Sequence, residues 1–380
     1  MKPDYNGGSL VNLMSTISLS FNKIQKYKPL NILAPKELTK KNTILIILDG
    51  LGYNYLMQHG DGTVFEKHLK GKITSVFPST TASAITTFIT GTAPMQHAIT
   101  GWFMHLKEIG AIAKILPFNL RVGGPQLTQL GILRSEIFRE KKFACKIDAK
   151  SYIITSLKIK KAENIKEKNI TIRGYNSING FFEKILFASK KPGRKYIYAY
   201  WPDFDTNCHE YGVSSRETLR HFFMLAKKTE LLLRKIKNSD VIITADHGLI
   251  DTPKEKCIFL NKHKKLYDCL TMPVCGDARC TYCYVRPDKV KEFTDYVENH
   301  LFFCCSLHKS EDLIKENYYG LFTPNKKLHE RIGDFVLIAK DNYVLRDIIP
   351  GQKFKFLIGN HGGVSEDEML VPLIFYSAKA

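Results

Sequence analysis

Three stretches of this 380-residue chain, NTILIILDG, RKYIYAYWPD and DVIITADHG, are apolar almost without interruption and run straight into an aspartate. Unbroken apolar runs of this length, without polar alternation, belong to strands buried on both faces, the hallmark of a parallel sheet covered by helices. Between the last two lies SSRETLRHFFMLAKKTELLLRKIKN, with apolar residues at helical spacing and a serine suited to cap the first turn. That strand–helix–strand order fixes a parallel pairing. KITSVFPS adds a strand stopped by Pro78, TASAITTFITG reads as a helix closed by Gly91, and MLVPLIFYS supplies a last core strand. The expected fold is α/β, three layers (α/β/α) with a mostly parallel central sheet. Residues 1–256 and 351–380 would form this core. Residues 257–350, holding CTYCYVRP, DKVKEFTDYVENHLF and GDFVLIAKDNYVL, read as a small α+β insertion shaping a cleft. Residues 101–130 read as a lid-like segment, and KIKKAENIKEKN as a polar surface loop or helix edge.

Composition narrows the class. With 44% hydrophobic and 24% charged residues the chain is globular in character. No run is long and apolar enough to span a bilayer. The N-terminal stretch lacks a charged start followed by an unbroken apolar core, so no cleaved signal peptide is read and a cytoplasmic location is expected. The 9 cysteines are odd in number and scattered, unlike a secreted disulfide framework. Cys280 and Cys283 form a lone CxxC on a strand-like run, where residues three apart point to opposite faces and cannot share an ion. The net charge of +19 favours phosphate-bearing partners. The lysines are dispersed and no aromatic-interleaved basic motif appears, so a small phosphorylated substrate is expected rather than a nucleic acid polymer.

Chemistry concentrates in five blocks: Asp49 in LIILDGLG, Thr81 in FPSTTASAITTFITG, Asp205 and His209 in WPDFDTNCHEYG, Asp246 and His247 in VIITADHG, and His361 in IGNHGG. Parallel sheets place ligand sites at the carboxyl ends of their strands, where three of these aspartates fall. Taken singly, each has a blander reading as a helix cap, a turn former or a surface loop. Together they offer three carboxylates, three imidazoles and a hydroxyl, a donor set that suits two zinc ions beside a nucleophile. Asp205 and His209, four apart, share one face of a helical turn. A hydroxyl at a helix N-terminus can act as a cap or as a nucleophile facing phosphate; the local pattern does not separate Ser79, Thr80 and Thr81. The other nine histidines lack comparable settings.

In order and spacing these blocks resemble the alkaline-phosphatase superfamily, most closely the type I phosphodiesterase and nucleotide pyrophosphatase branch, over essentially the whole chain. The resemblance implies an alkaline-phosphatase-like fold and selects Thr81, ten residues before the helix-closing Gly91, as nucleophile. It implies one zinc ion, or another divalent metal, on Asp49, Thr81, Asp246 and His247, and a second on Asp205, His209 and His361. Such ions stand ~3.5–4 Å apart. The implied reaction is a two-step displacement through a phospho-threonine, with the Ala82 N–H and the helix N-terminus receiving phosphoryl oxygens. Two positions depart from the branch: Ala84 stands where studied diesterases have a phosphate-holding Asn, and Cys208 where Gly is usual. Of the arginines that could grip a phosphate (Arg121, Arg279, Arg286), Arg279 lies in MPVCGDARCTYCYVRP, which matches the insertion of bacterial relatives. Phosphomonoester hydrolysis and C–P cleavage, as in phosphonoacetate hydrolases, are the alternatives on the same scaffold. A non-catalytic effector is a third, disfavoured because no ligand position is lost. Sulfate esters are disfavoured because no Cys-x-Pro-x-Arg element is present.

Overall fold

The computed structural model describes residues 1–157 and 169–379. KIKKAENIKEKN therefore lies outside the described residues, save its last asparagine. The central sheet has seven strands in the order Leu69–Thr74, Leu370–Ala378, Ser239–Thr244, Asn42–Leu48, Lys195–Trp201, Lys150–Ser156, Ile170–Tyr175. Only Leu370–Ala378 runs against its neighbours. The three apolar runs lie side by side at its centre, and every residue of these strands is buried. That is why their sequences show no alternation. Helices cover both sides of the sheet. The capped helix appears as Arg216–Lys235, where Ser215 accepts the Thr218 N–H.

The strand expected from KITSVFPS lies three residues earlier, at Leu69–Thr74. After Thr74 the chain leaves the sheet because Ser75 turns to other partners: its N–H donates to Met369 O and its Oγ to Asp246 O, at 2.7 and 2.5 Å.

A second sheet, antiparallel throughout, runs Cys305–Lys309, Phe335–Ala339, Cys280–Cys283, Cys275–Gly276, Phe103–Leu106, Ala111–Lys114, Asn119–Leu120. It draws strands both from the 101–130 segment and from the 257–350 stretch. Arg331 ties the two further, donating to Ala98 O and Ile137 O and pairing with Glu108 at 3.2 Å. Cys280 and Cys283 are both fully buried but join different apolar clusters on opposite faces of this sheet. All 9 cysteines are free thiols. No described helix is long and apolar enough to cross a membrane.

Candidate active site

Three adjacent parallel strands deliver the acidic residues to one end of the central sheet. Asn42–Leu48 ends into Asp49, and Ser239–Thr244 runs into Asp246 and His247. Lys195–Trp201 leads into the helix Asp203–Tyr211, which carries Asp205 and His209. Gly50 turns the chain sharply at φ 78°, and a Cβ there would lie 2.5 Å from Leu249 and 3.1 Å from Asp205 Cβ. Only glycine accepts both that conformation and that crowding. His361 arrives from the far end of the sequence, just after Gly359–Asn360, which pairs with Ile250–Asp251.

All seven residues expected to hold metal converge. His247 Nε2 lies 3.4 Å from Asp49 Oδ1, 3.4 Å from Asp246 Oδ2 and 3.1 Å from Thr81 Oγ1. Asp205 Oδ2 is 3.3 Å from His209 Nε2, and its Oδ1 is 3.9 Å from His361 Nε2. The His247 and His361 rings stack at 3.7 Å, so the two groups of donors are contiguous.

The donor set fits cations in three respects. Each imidazole is anchored through Nδ1 to a backbone carbonyl: His209 to Gly359 at 2.7 Å, His247 to Gly248 at 3.0 Å, His361 to Ser79 at 3.2 Å. A carbonyl only accepts, so Nδ1 carries the proton and Nε2 is the free lone pair, aimed at the carboxylates. Next, Asp49 Oδ1, Asp205 Oδ1 and Asp246 Oδ2 are buried with no hydrogen-bond partner. Buried carboxylate oxygens are seldom left so unless a cation claims them. Finally, burial, with the Asp246 and Asp205 carboxylates beside it, pushes the Asp49 carboxyl well above its ordinary value. A divalent ion would reverse that. Burial and the neighbouring His247 imidazole hold His361 well below the usual range, hence neutral, the form that ligates. For Asp205, burial alone would raise the value, but the His209 imidazole overrides it and holds the carboxyl low.

Among the three hydroxyls left open by the sequence, the geometry separates one. Ser79 Oγ donates to Gly363 O at 2.8 Å, and the Thr80 hydroxyl bonds Asp277. Thr81 alone points to His247. It is the first residue of the helix Thr81–Thr90, closed as expected by Gly91 at φ 72°. Ala82 is the second, so its N–H has no acceptor within the helix. Ala84 packs into the main core, and this helix shows Thr81, Ile85, Thr86 and Ile89 to the cleft.

The cleft beside Thr81 encloses about 1210 Å³. Arg279 is not in its wall. That expected substrate contact is corrected by the structure: the guanidinium is 1% exposed and gives Nε and an NH2 to Glu368 at 3.1 and 2.8 Å. It also donates to the Tyr343 carbonyl. Arg121 is likewise engaged by Val274 O, Asp347 O and Gln352, while Arg286 lies on the surface near Asp288. The sequence reading missed Tyr200, whose hydroxyl donates to Asp49 Oδ2, and the wall residues Asp277 and Arg346. Tyr200 carried a usable signal: it is the next-to-last residue of a central strand paired in register with the Asp49 strand. Asp277 lies in the same MPVCGDARCTYCYVRP segment as Arg279, two residues before it, while no motif surrounds Arg346.

Solved structures with this architecture are distant in sequence. A murine ectonucleotide pyrophosphatase/phosphodiesterase 5, in an inactive threonine-to-alanine form with AMP, is 17% identical with a TM-score of 0.66, covering 89% of this chain and 87% of that one. The human ectonucleotide pyrophosphatase/phosphodiesterase 5 is 18% identical with a TM-score of 0.65, over 90% and 88% of the two chains. The phosphonoacetate hydrolase of Sinorhizobium meliloti 1021, with phosphonoformate, is 16% identical with a TM-score of 0.63, over 89% and 90%. At these identities the likeness is one of fold. Curated protein sequences give no match. Residues 43–363, spanning every block that meets at this site, match the model of the Type I phosphodiesterase / nucleotide pyrophosphatase family, and the chain belongs to that family.

Proposed function

We propose that this chain is a zinc-dependent phosphodiesterase or nucleotide pyrophosphatase acting through a phospho-threonine on Thr81. The observation that carries the reading is the meeting of Thr81 Oγ1 with three imidazoles and three buried carboxylates at the carboxyl end of the sheet. Asp49, Thr81, Asp246 and His247 would hold one ion, and Asp205, His209 and His361 the other, a nitrogen and oxygen set that suits zinc. When bound, such ions lower the pKa of a coordinated hydroxyl and neutralise phosphoryl charge.

The chain's own part follows from its geometry. Thr81 Oγ1 bonds to phosphorus as the bond to the leaving oxygen breaks, and the threonine proton leaves through solvent. The Ala82 N–H and the helix N-terminus donate to the phosphoryl oxygens where negative charge gathers. Water then takes the phosphoryl group from Thr81 and the hydroxyl is restored. The Nδ1 anchors of the three histidines hold the donors in place throughout. A cleft of about 1210 Å³ has room for an organic group on phosphorus, which supports diester or pyrophosphate substrates over small monoesters. The AMP held by the murine neighbour supports a nucleotide as one such group.

The test is turnover of bis(p-nitrophenyl) phosphate against p-nitrophenyl phosphate, in the wild type and in Thr81→Ala. The expected outcome is faster diester cleavage by the wild type, and loss of turnover by at least about 1000-fold in Thr81→Ala with metal content and melting temperature retained. Substantial activity in Thr81→Ala moves the nucleophile elsewhere; preference for the monoester, or for phosphonoacetate, replaces the substrate class.

A further inference from the structure

Among the described residues, the protein's three buried arginines are mostly engaged by its own acceptors. Arg279 is spent on Glu368 and backbone carbonyls. Arg121 is spent on Val274 O, Asp347 O and Gln352, and Arg331 on Ala98 O, Ile137 O and Glu108, with its buried Nε left over. Arg346 differs in having most of its donors spare. It lies in the wall of the same cleft as Thr81 and His361, mostly shielded from bulk solvent. Among the described residues its guanidinium has one hydrogen bond, from an NH2 to Asn360 Oδ1 at 2.8 Å, and no carboxylate within ion-pairing distance. Of its five N–H donors, those on Nε and the other NH2 have no protein acceptor.

Its position is fixed on both sides. Arg346 ends the strand Val344–Arg346, paired in register with Cys257–Phe259. Asn360 is held by its own amide nitrogen, which donates to Leu357 O and Ile358 O at 3.0 and 3.1 Å, and so presents Oδ1 to the guanidinium. Asn360 precedes the predicted ligand His361. A planar fork with spare donors is therefore tied to the residue that precedes His361, in the cleft that Thr81 also lines. The carboxylate facing it across the cleft wall, Asp277, is engaged by the Trp102 N–H at 3.1 Å and by Thr80.

We propose that Arg346 receives a second anionic group of the substrate, a phosphate or carboxylate joined close to the phosphorus that Thr81 attacks. A guanidinium grips such an oxyanion through two parallel bonds, which a lysine does not reproduce. The proposal deepens the assigned function, and rests on it for the place of the scissile phosphorus. It narrows the substrate class to doubly anionic molecules, such as a phosphoanhydride or a phosphonocarboxylate, over simple diesters.

The test is calorimetric binding to the metal-loaded protein of methylphosphonate (one anion), methylenediphosphonate and phosphonoacetate, in the wild type, Arg346→Gln and Arg346→Lys. The expected result is tighter binding of a two-anion probe than of methylphosphonate in the wild type. Arg346→Gln should lose that advantage by about 10- to 100-fold, and Arg346→Lys should recover only part of it. Methylphosphonate, with no group for Arg346 to meet, should change far less. Which of the two-anion probes loses affinity tells a phosphate from a carboxylate. Equal weakening of all three probes would make Arg346 a support for the Asn360–His361 loop and overturn the proposal, as would no change for any. Should the wild type bind these probes with the expected split yet cleave neither nitrophenyl ester, nor ATP, nor phosphonoacetate, the hydrolase reading falls and the anion subsite stands.

Discussion

At the scale of single residues, the members of the site were legible because their chemistry is dense in short blocks. Asp246-His247 after an apolar run, and Asp205 with His209 four residues on, are patterns that backbone geometry brings to one end of the sheet as neighbouring donors. Arg279 was not legible. Its partner Glu368 lies 89 residues away, and a sequence shows a cation without showing which anion claims it. Tyr200 was hidden for another reason: a buried aromatic in a core strand looks like packing until its hydroxyl is seen on Asp49. His361 supplies the sharpest single-residue expectation. Its Nδ1 is held by Ser79 O and its Nε2 faces Asp205, so His361→Ala removes a donor without opening the core. Affinity for one of two metal ions should fall at least about 100-fold, and turnover with it, while the second ion remains. Metal analysis after dialysis reads the outcome; two retained ions would remove His361 from the site.

At the scale of elements, helix and strand identities followed from period and punctuation. The helix Thr81–Thr90 ends where its glycine said it would, and Arg216–Lys235 starts at its serine. The strand before Pro78 ends earlier than Pro78 alone would set, because a side chain, Ser75, found its partner in the Asp246 loop, a contact no local pattern encodes. The loop carrying His361 is held by a buried pair. Glu368 accepts the Gly363 N–H at 2.7 Å and the Ser365 hydroxyl at 2.7 Å while bonding Arg279. Burial alone would raise the Glu368 carboxyl, but the Arg279 guanidinium overrides it and holds it below its usual value of 4.5. A carboxyl lowered by folding contributes stability above its unfolded value, and that contribution fades as pH falls toward the folded one. Glu368→Gln should therefore cost about 3–5 kcal/mol near neutrality, because it leaves a buried guanidinium unpaired. The gap to the wild type should narrow below about pH 4.5. Urea unfolding at a series of pH values measures this; a gap constant with pH would mean that the pair's charge is not what holds the loop.

At the scale of the whole molecule, the central sheet was readable because its middle strands are buried on both faces and announce themselves as unbroken apolar runs. The second sheet was not, because it joins Phe103–Leu106 to Cys275–Gly276 across more of the chain than local periodicity reports. That long-range pairing brings Asp277, next to Gly276, to the cleft wall, while Arg346 reaches it from the separate pairing of Val344–Arg346 with Cys257–Phe259. The central claim is that this architecture exists to gather two cations beside one hydroxyl. Anomalous diffraction at the zinc edge, on crystals of the zinc-loaded protein, tests it most directly. Two peaks ~3.5–4 Å apart are expected, one among Asp49, Thr81, Asp246 and His247 and the other among Asp205, His209 and His361. A zinc-saturated crystal with no peak among these seven residues, or with its peaks elsewhere, would contradict the account.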